Sequence, residues 1–180
     1  MTPRVVDESQ MPAALDAEIR RGLCLCFPPD VPIFSLTRAW HGSAPAYNVV
    51  IDDGPKTKIL AHVGVVDRAI RVGPTPIRVA GVQNVYVLPE ARARGLAQAV
   101  MVEAMAEAGR RRFDVGLLFC EPKLERVYLD CDWRSLGPRE VVRVEERREI
   151  PIPAKNIAMF YPLAAAAFPD GLIHLGGNDW

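Results

Sequence analysis

The pattern of apolar and polar residues divides the chain into strands and helices. Three β-branched, mostly apolar stretches, 47–52, 58–72 and 77–88, follow one another and predict a meander of three strands. A polar turn at 52–56 separates the first two. A compact apolar run, 115–120, lies between polar boundaries and predicts a buried strand.

Helical periodicity predicts one helix before the meander in the sequence and another after it. Leucine and isoleucine recur every four residues within 12–26, and residues 91–112 predict a longer amphipathic helix. Because this helix joins two strands by a crossover, 115–120 should run parallel to 83–88. The other predicted elements are strands at 4–6, 141–147 and 157–161 and helices at 35–40 and 121–130. This order predicts a mixed α/β fold that is neither doubly wound nor a barrel.

Composition and charge are those of an ordinary globular chain. The 180 residues are 49% hydrophobic and 24% charged, which suits a single domain over 1–180. The 22 basic and 22 acidic residues balance, so we expect no nucleic-acid partner and no membrane association. The absence of a signal-peptide pattern and of a long apolar run leads us to expect a cytoplasmic location. The sequence does not determine the oligomeric state, and a homodimer is one alternative.

The cysteine and histidine spacing predicts neither a metal site nor a disulfide framework. The four cysteines form one C-x-C pair and two single residues, which favours reduced, mostly buried thiols: Cys24, Cys26, Cys120 and Cys131. The sequence shows no histidine or acid in a catalytic pairing with Cys120, so a packing role is favoured over a nucleophilic one. We therefore predict no bound metal.

The segment 92–97, Arg-Ala-Arg-Gly-Leu-Ala, has the features of an anion site. It begins the long helix, whose first N–H groups have no partner within the helix. These donors, the helix dipole and two arginines suit a pyrophosphate, and Gly95 allows close approach of the backbone. The candidate residues are Arg92, Ala93, Arg94, Gly95, Leu96 and Ala97. The alternative is a common strand-to-helix turn with solvated arginines.

The motifs and the element order together resemble the GNAT superfamily of acyl-CoA N-acyltransferases. Arg92, Gly95 and Ala97 match its Q/R-x-x-G-x-G/A motif. Tyr128, followed by Asp132-Trp133, is similar to the tyrosine and glycine–aromatic pair of the superfamily, with Asp132 in place of glycine.

Two families within this superfamily resemble the chain more closely. The aminoglycoside 2'-N-acetyltransferases are similar nearly end to end, including the stretch around Tyr128 and Trp133 and an Asp-containing tail with tryptophan as its last residue. The nodulation protein A acyltransferases are similar through the meander and in 168–173.

The resemblance implies an α/β GNAT fold, with a mixed, mostly antiparallel sheet of six to seven strands and helices on both faces. The fourth and fifth strands would splay apart to hold the pantetheine arm of acetyl-CoA, the implied acyl donor. One N–H group of Val85, Tyr86 or Val87 would stabilise the oxyanion formed by direct attack of the amine. Tyr128 would protonate the leaving thiolate. The alternative interpretation is that Tyr128 only packs in the core.

The implied acceptor is a small-molecule primary amine such as an aminosugar or aminoglycoside. Candidate contacts are Asp30, Gln83, Asp179 and Trp180. The resemblance also makes the α-carboxylate of Trp180 a candidate base and its indole a wall of the acceptor site; the alternative is a loose terminus. The aminoglycoside enzymes carry acids at the positions of Gln83, Ala39 and Ala154, so a polycationic acceptor would meet fewer carboxylates here.

Three functions therefore stay open. The first is acetyl transfer from acetyl-CoA to an amine, and the second is transfer of a longer acyl chain. The third is CoA or partner binding without catalysis, which the presence of Tyr128, Arg92 and Gly95 disfavours.

Overall fold

The computed structural model describes residues 1–54, 58–153 and 155–180, so the predicted turn at 52–56 is covered in part and Ala154 lies outside the described residues. The strands of this part are β1 (Arg4–Asp7), β2 (Tyr47–Asp52), β3 (Ile59–Val72), β4 (Thr75–Val87), β5 (Val115–Cys120), β6 (Arg134–Ser135), β7 (Val141–Glu145), β8 (Arg148–Pro151), β9 (Ile157–Pro162) and β10 (Ile173–His174). The α-helices are α1 (Ala13–Cys26), α2 (Val31–Phe34), α3 (Leu96–Arg110) and α4 (Glu125–Leu129).

All ten described strands belong to one curled sheet. Its order is β6-β9-β5-β4-β3-β10-β7-β8, and β2 pairs with the first half of β3 and with β1. The pairs are antiparallel except β4–β5 and β10–β7, so the expectation of a mixed, mostly antiparallel sheet is confirmed. The strand count was too low because β6, β8 and β10 have only two to four residues, too few for a visible alternation.

Helices cover both faces of the sheet. Tyr47 and Asn48 are neighbours on β2, so their side chains point to opposite faces. The Tyr47 hydroxyl donates to the Ala104 carbonyl of α3 at 2.8 Å. On the other face, Asn48 contacts His62, whose ring stacks on Tyr86, and Tyr86 packs against α1 at Gly22. The predicted two-sided arrangement is confirmed.

Three predicted helices have other bounds in the structure. The helix predicted at 121–130 is only Glu125–Leu129, because Pro122 opens a separate 3-10 turn before it. The long helix begins at Leu96 rather than at 91, because Pro89 opens a separate 3-10 turn and Ala93 and Gly95 have positive φ angles. The short helix predicted at 35–40 lies at Val31–Phe34 instead. Proline is accepted in the first turn of a helix, and Pro32 lies in that turn of α2.

The parallel pair of β4 and β5 is short, and the two strands separate beyond it. Residues 79–81 pair with 115–117, which confirms the predicted parallel arrangement. Where β4 and β5 separate, the Trp180 indole lies against Gly81, and its Nε1 donates to the Leu117 carbonyl at 3.3 Å. Trp180 is only 5% exposed, so its side chain is packed rather than loose.

Gly81→Ala should displace the Trp180 side chain from its place between β4 and β5. A Cβ at Gly81 would overlap the indole, and such overpacking costs about 1–3 kcal/mol. We expect a lower free energy of unfolding in a denaturant titration. Gly64→Ala is the matched control, because a Cβ at that strand glycine would lie 3.4 Å from Gln83 Cγ, an ordinary contact. Equal stability of the two variants would contradict the packing described here.

Candidate active site

The loop at 92–95 has an irregular, exposed backbone before α3. Ala93 and Gly95 both have left-handed backbones, with φ angles of 57° and 72°. Such turns direct successive N–H groups towards one point, where an anion can bind. The side chains of Arg92 and Arg94 are exposed beside it, and a Cβ built on Gly95 would meet no atom within 4 Å. The loop therefore has the donors, the charge and the open space that a pyrophosphate requires.

Gly95→Glu should weaken CoA binding by at least about tenfold, which is 1.4 kcal/mol. The substitution adds bulk and negative charge beside the phosphate position. Isothermal titration calorimetry with CoA measures the effect. Gly42→Glu is the control, since Gly42 also has a positive φ angle, 81°, and open space around it, and it lines neither cavity of the site. Unchanged affinity in Gly95→Glu would remove this loop from the site.

A β-bulge in β4 lies at the point where the strands have separated. Gly64 pairs with Gln83 and His62 with Tyr86, so β4 carries one extra residue between the two pairs. Asn84 lies within this interval with a φ angle of 56°, a conformation that asparagine accepts more readily than most residues. The bulge changes the direction of the β4 backbone where the opening between β4 and β5 begins.

The bulge also determines which N–H groups face the opening. Leu88 N–H donates to the Leu60 carbonyl on the β3 side at 2.9 Å. Because successive N–H groups of a strand point to opposite edges, Val85 and Val87 direct theirs towards the edge that β5 leaves open. Tyr86 directs its N–H towards β3, and its side chain is buried under α1. Val85 and Val87 are therefore the better donor candidates of the three residues chosen from the sequence.

Buried polar side chains hold the bulge from the α1 face. His62 Nδ1 lies 2.9 Å from the Asn84 carbonyl, and the Asn84 amide donates to the Arg38 carbonyl at 2.7 Å. Arg38 in turn donates to Asn48 and forms salt bridges with Glu8 and Asp16. These contacts keep a strained backbone in one conformation.

The histidine of this network is neutral. Its two nitrogens face the oxygens of Asn84 and Asn48, a geometry that would suit an imidazolium. Complete burial, reinforced by the nearby Arg38 cation, lowers the pKa of His62 to about 3 and outweighs the hydrogen bond that its Nδ1 donates to the Asn84 carbonyl. We therefore assign His62 a positioning role beneath the bulge.

A cavity of about 280 Å³ lies between the separated strands. Six residues chosen from the sequence line it: Asp30, Gln83, Val85, Tyr128, Asp179 and Trp180. They come from distant parts of the chain, so the fold brings together most of the predicted acceptor and catalytic side chains. The anion loop lies past the end of β4, where Arg92 Nε donates to the Val87 carbonyl at 3.4 Å.

Gln83 acts mainly on the backbone of the loop at 40–43. Its amide donates to the Ser43 carbonyl at 2.7 Å and accepts from the Trp40 N–H at 3.3 Å. With these bonds made and only 4% of the residue exposed, Gln83 holds Trp40 against the cavity.

Burial keeps two of the groups beside the cavity, the Tyr128 hydroxyl and the Cys120 thiol, protonated. It raises the pKa of Tyr128, with smaller contributions from Cys120 and Cys131, and it raises the pKa of Cys120 to about 11. A neutral tyrosine can donate a hydrogen bond to a thiolate, although complete proton transfer is harder than its reference pKa implies. A neutral Cys120 is a poor nucleophile, which favours the packing role expected for it.

Charged neighbours already engage Asp179 and Trp180. The Asp179 carboxylate accepts from Arg143 at 2.9 Å and lies 2.6 Å from His41 Nδ1. The guanidinium of Arg68 lies 5.1 Å from the Trp180 ring centroid, in a cation–π contact. An ammonium substrate therefore gains less from these two residues than the sequence led us to expect.

Sequence reasoning missed several residues of the site. Glu121 lines the cavity directly after β5, and its place at the carboxyl end of a parallel strand was a usable signal. Asn84 and Trp40, which line the cavity, and His41, which stacks on Trp40, had no such signal, because a bulge and an irregular loop place them.

A second, larger cavity adjoins the first. Its volume is about 750 Å³, and Ile152 and Asn156 line both cavities. The other lining residues are mostly aliphatic or proline, among them Pro138, Val141, Ile157 and Leu172. Such a surface suits an apolar ligand segment.

Two absences apply to residues 1–54, 58–153 and 155–180. In this part of the chain, no helix is both long and apolar enough to span a bilayer. The same residues contain no group of three or more His, Cys, Asp or Glu that could hold a metal ion.

Comparisons with known proteins identify the family and the fold. The model of the family described as nodulation protein A (NodA) matches residues 1–130. No protein with a curated description matches the chain in sequence. The family match is to nodulation protein A, so these comparisons do not support the expected likeness to aminoglycoside 2'-N-acetyltransferases.

Solved structures of GNAT proteins superpose on most of the chain. The GNAT family N-acetyltransferase YhbS from Escherichia coli, in complex with CoA, has a TM-score of 0.68 at 15% identity and covers 98% of this chain and 91% of its own. A GNAT family acetyltransferase from Brucella melitensis, in complex with acetyl-CoA, has a TM-score of 0.58 at 15% identity, with 95% and 94% covered. An acyl-CoA N-acyltransferase from Pseudomonas aeruginosa has a TM-score of 0.59 at 13% identity, with 88% and 97% covered. The fold expected from the sequence, a GNAT fold, is confirmed.

Proposed function

The chain belongs to the nodulation protein A (NodA) family, and we propose that it is an N-acyltransferase that moves an acyl group from an acyl-CoA to a primary amine of a small molecule. The observation that carries this proposal is the opening between β4 and β5. It has an anion loop past one end, a bulge with free N–H groups along one side and a polar cavity at its mouth.

The residues around this opening suit direct transfer. The loop at 92–97 would bind the pyrophosphate, and the edge of β4 at Val85 and Val87 would pair with the pantetheine arm. The Val85 N–H would donate to the thioester carbonyl as it becomes an oxyanion. Tyr128 would donate to the departing thiolate. No protein nucleophile is required, since the amine attacks the thioester itself.

The acceptor that fits best is an amine of low total charge, such as an aminosugar. Asp30, Glu121 and Asp179 are the carboxylates that line the cavity, but Asp179 is paired with Arg143 and Glu121 with Lys123. A polycationic aminoglycoside would find little uncompensated negative charge here.

The second cavity favours a longer acyl chain as an alternative donor. Its aliphatic lining and its shared wall with the first cavity would allow an alkyl chain to continue past the reacting carbonyl. Each buried methylene adds about 0.8 kcal/mol, so the preference should grow with chain length. Acetyl-CoA remains the simplest donor of the proposal.

A thiol-release assay tests the proposed function. Wild-type protein is incubated with acetyl-, octanoyl- or palmitoyl-CoA and a panel of amines that includes glucosamine, and free CoA is measured with a thiol reagent. We expect amine-dependent CoA release, and faster release from the longer donors would favour the alternative. CoA binding without release from any donor–amine pair would leave the protein as a non-catalytic CoA binder.

A further inference from the structure

A histidine–aspartate pair lies beside the cavity, between two segments that are far apart in sequence. His41 belongs to the loop at 40–43 and Asp179 to the tail, and 2.6 Å separates His41 Nδ1 from Asp179 Oδ1. The His41 side chain is 35% exposed, whereas that of Asp179 is 12% exposed. A carboxylate that orients a partly exposed imidazole is the arrangement of a histidine base.

The contacts determine which ring nitrogen carries the proton. Asp179 Oδ1 also accepts from Arg143, so this oxygen acts as an acceptor in both of its contacts. His41 Nδ1 must then carry the hydrogen. In the neutral ring, Nε2 therefore has a free lone pair that can take a proton.

Both partners of the pair are held in place by further contacts. The ring of His41 stacks on Trp40 with centroids 4.4 Å apart, and the Asn178 amide donates to the His41 carbonyl at 2.8 Å. Ser43 Oγ donates to the Asp179 carbonyl at 2.8 Å. These contacts preserve a left-handed backbone at His41, with a φ angle of 44°.

The pair adjoins the proposed reaction site. Trp40, which stacks on His41, and Asp179 both line the cavity that also contains Tyr128. Charged groups near the pair include Arg143 on β7, which shares the carboxylate and also pairs with Glu145. Arg68 on β3 donates to Ser43 Oγ and to the Asn178 carbonyl.

We propose that His41 is the general base of the acyl transfer, with Asp179 as the residue that orients it; this inference rests on the proposed function. His41 Nε2 takes one proton from the substrate ammonium, directly or through one water. The freed lone pair of the amine forms the C–N bond, and the C–S electron pair leaves with sulfur. The thiolate takes a proton from Tyr128 or from water, and the amide nitrogen loses its second proton to solvent. Asp179 stabilises the imidazolium.

His41→Asn separates this role from a structural one. The asparagine amide can replace Nδ1–H as a donor to Asp179, but it has no basic nitrogen at the Nε2 position. We expect kcat/KM for the amine to fall by about 10²–10⁴-fold and its acid limb to disappear from the pH profile. CoA affinity and the melting temperature should stay at wild-type values. His174→Asn is the control, because His174 lies on β10 beside Glu149, a carboxylate that does not line the cavity as Asp179 does.

Each outcome decides between the two roles. A wild-type pH profile and rate for His41→Asn would overturn the assignment and leave the pair as a clamp of the tail. If His41→Asn unfolds, His41→Ala with added imidazole replaces it: rescue supports the base, and no rescue overturns it. A wild-type enzyme that releases no CoA with any donor and amine overturns the proposed function itself, a result distinct from an active enzyme that does not need His41.

Discussion

Tyr128→Phe should lower kcat by roughly 10²-fold, the typical loss for a missing general acid, with unchanged affinity for the acyl-CoA. The substitution removes only the hydroxyl, while the ring keeps its edge contact with Trp133, at 6.3 Å between centroids. Burial raises the pKa of Tyr128, so the hydroxyl stays protonated and available to the departing thiolate. Single-turnover kinetics with a saturating amine measure the chemical step without product release.

Tyr161→Phe is the matched control. Tyr161 also packs on Trp133, at 5.8 Å between centroids, but it does not line the cavity between the separated strands. The Tyr161→Phe variant should therefore have the wild-type single-turnover rate. Equal rates for the two variants would make Tyr128 a packing residue and leave the thiolate to be protonated by water.

Replacement of Val85 by its α-hydroxy acid should reduce kcat by about 10²–10³-fold, the usual cost of losing one oxyanion donor. The resulting ester keeps the side chain and the carbonyl but lacks the N–H that the bulge directs into the opening. Affinity for the acyl-CoA should change little, because the donor acts mainly on the charge that develops at the carbonyl oxygen.

The same replacement at Val87 provides the comparison. Its N–H faces the same open edge, but Val87 does not line the cavity, so its loss should raise KM for the acyl-CoA rather than lower kcat. A lower kcat at Val87 with no change at Val85 would move the oxyanion position along the strand. No change at either residue would exclude both Val85 and Val87 as oxyanion donors.

The regular strands of the fold could be predicted from the local pattern of apolar and polar residues. The meander and the 115–120 strand are long or strongly apolar, and the crossover rule gave the correct parallel direction of β5. The motif at Arg92 and Gly95 was also visible, since its function depends on neighbouring residues of one loop.

The irregular part depends on pairings that a single sequence does not reveal. The bulge at Asn84 is created by the register between β3 and β4, and no residue type demands it. The position of the tail depends on contacts such as Ser43 with Asp179 and His41 with Asn178, which join segments more than 130 residues apart in sequence. For this reason, Asp179 looked free to receive a cation until the structure placed Arg143 beside it.

The start of α3 shows how a boundary error can matter for function. A helix from residue 91 would have placed Arg92 and Arg94 on a helical surface. The left-handed residues Ala93 and Gly95 instead make 92–95 a loop that can surround an anion.

The identity of the reaction product tests the central claim most directly. Wild-type protein is incubated with an acyl-CoA labelled in its carbonyl carbon and with the best amine of the panel, and the products are resolved by mass spectrometry. Our account predicts equal amounts of free CoA and of an N-acyl amine that carries the label. Label found only in the free carboxylic acid, or only in intact acyl-CoA, would contradict amine acylation at the opening between β4 and β5.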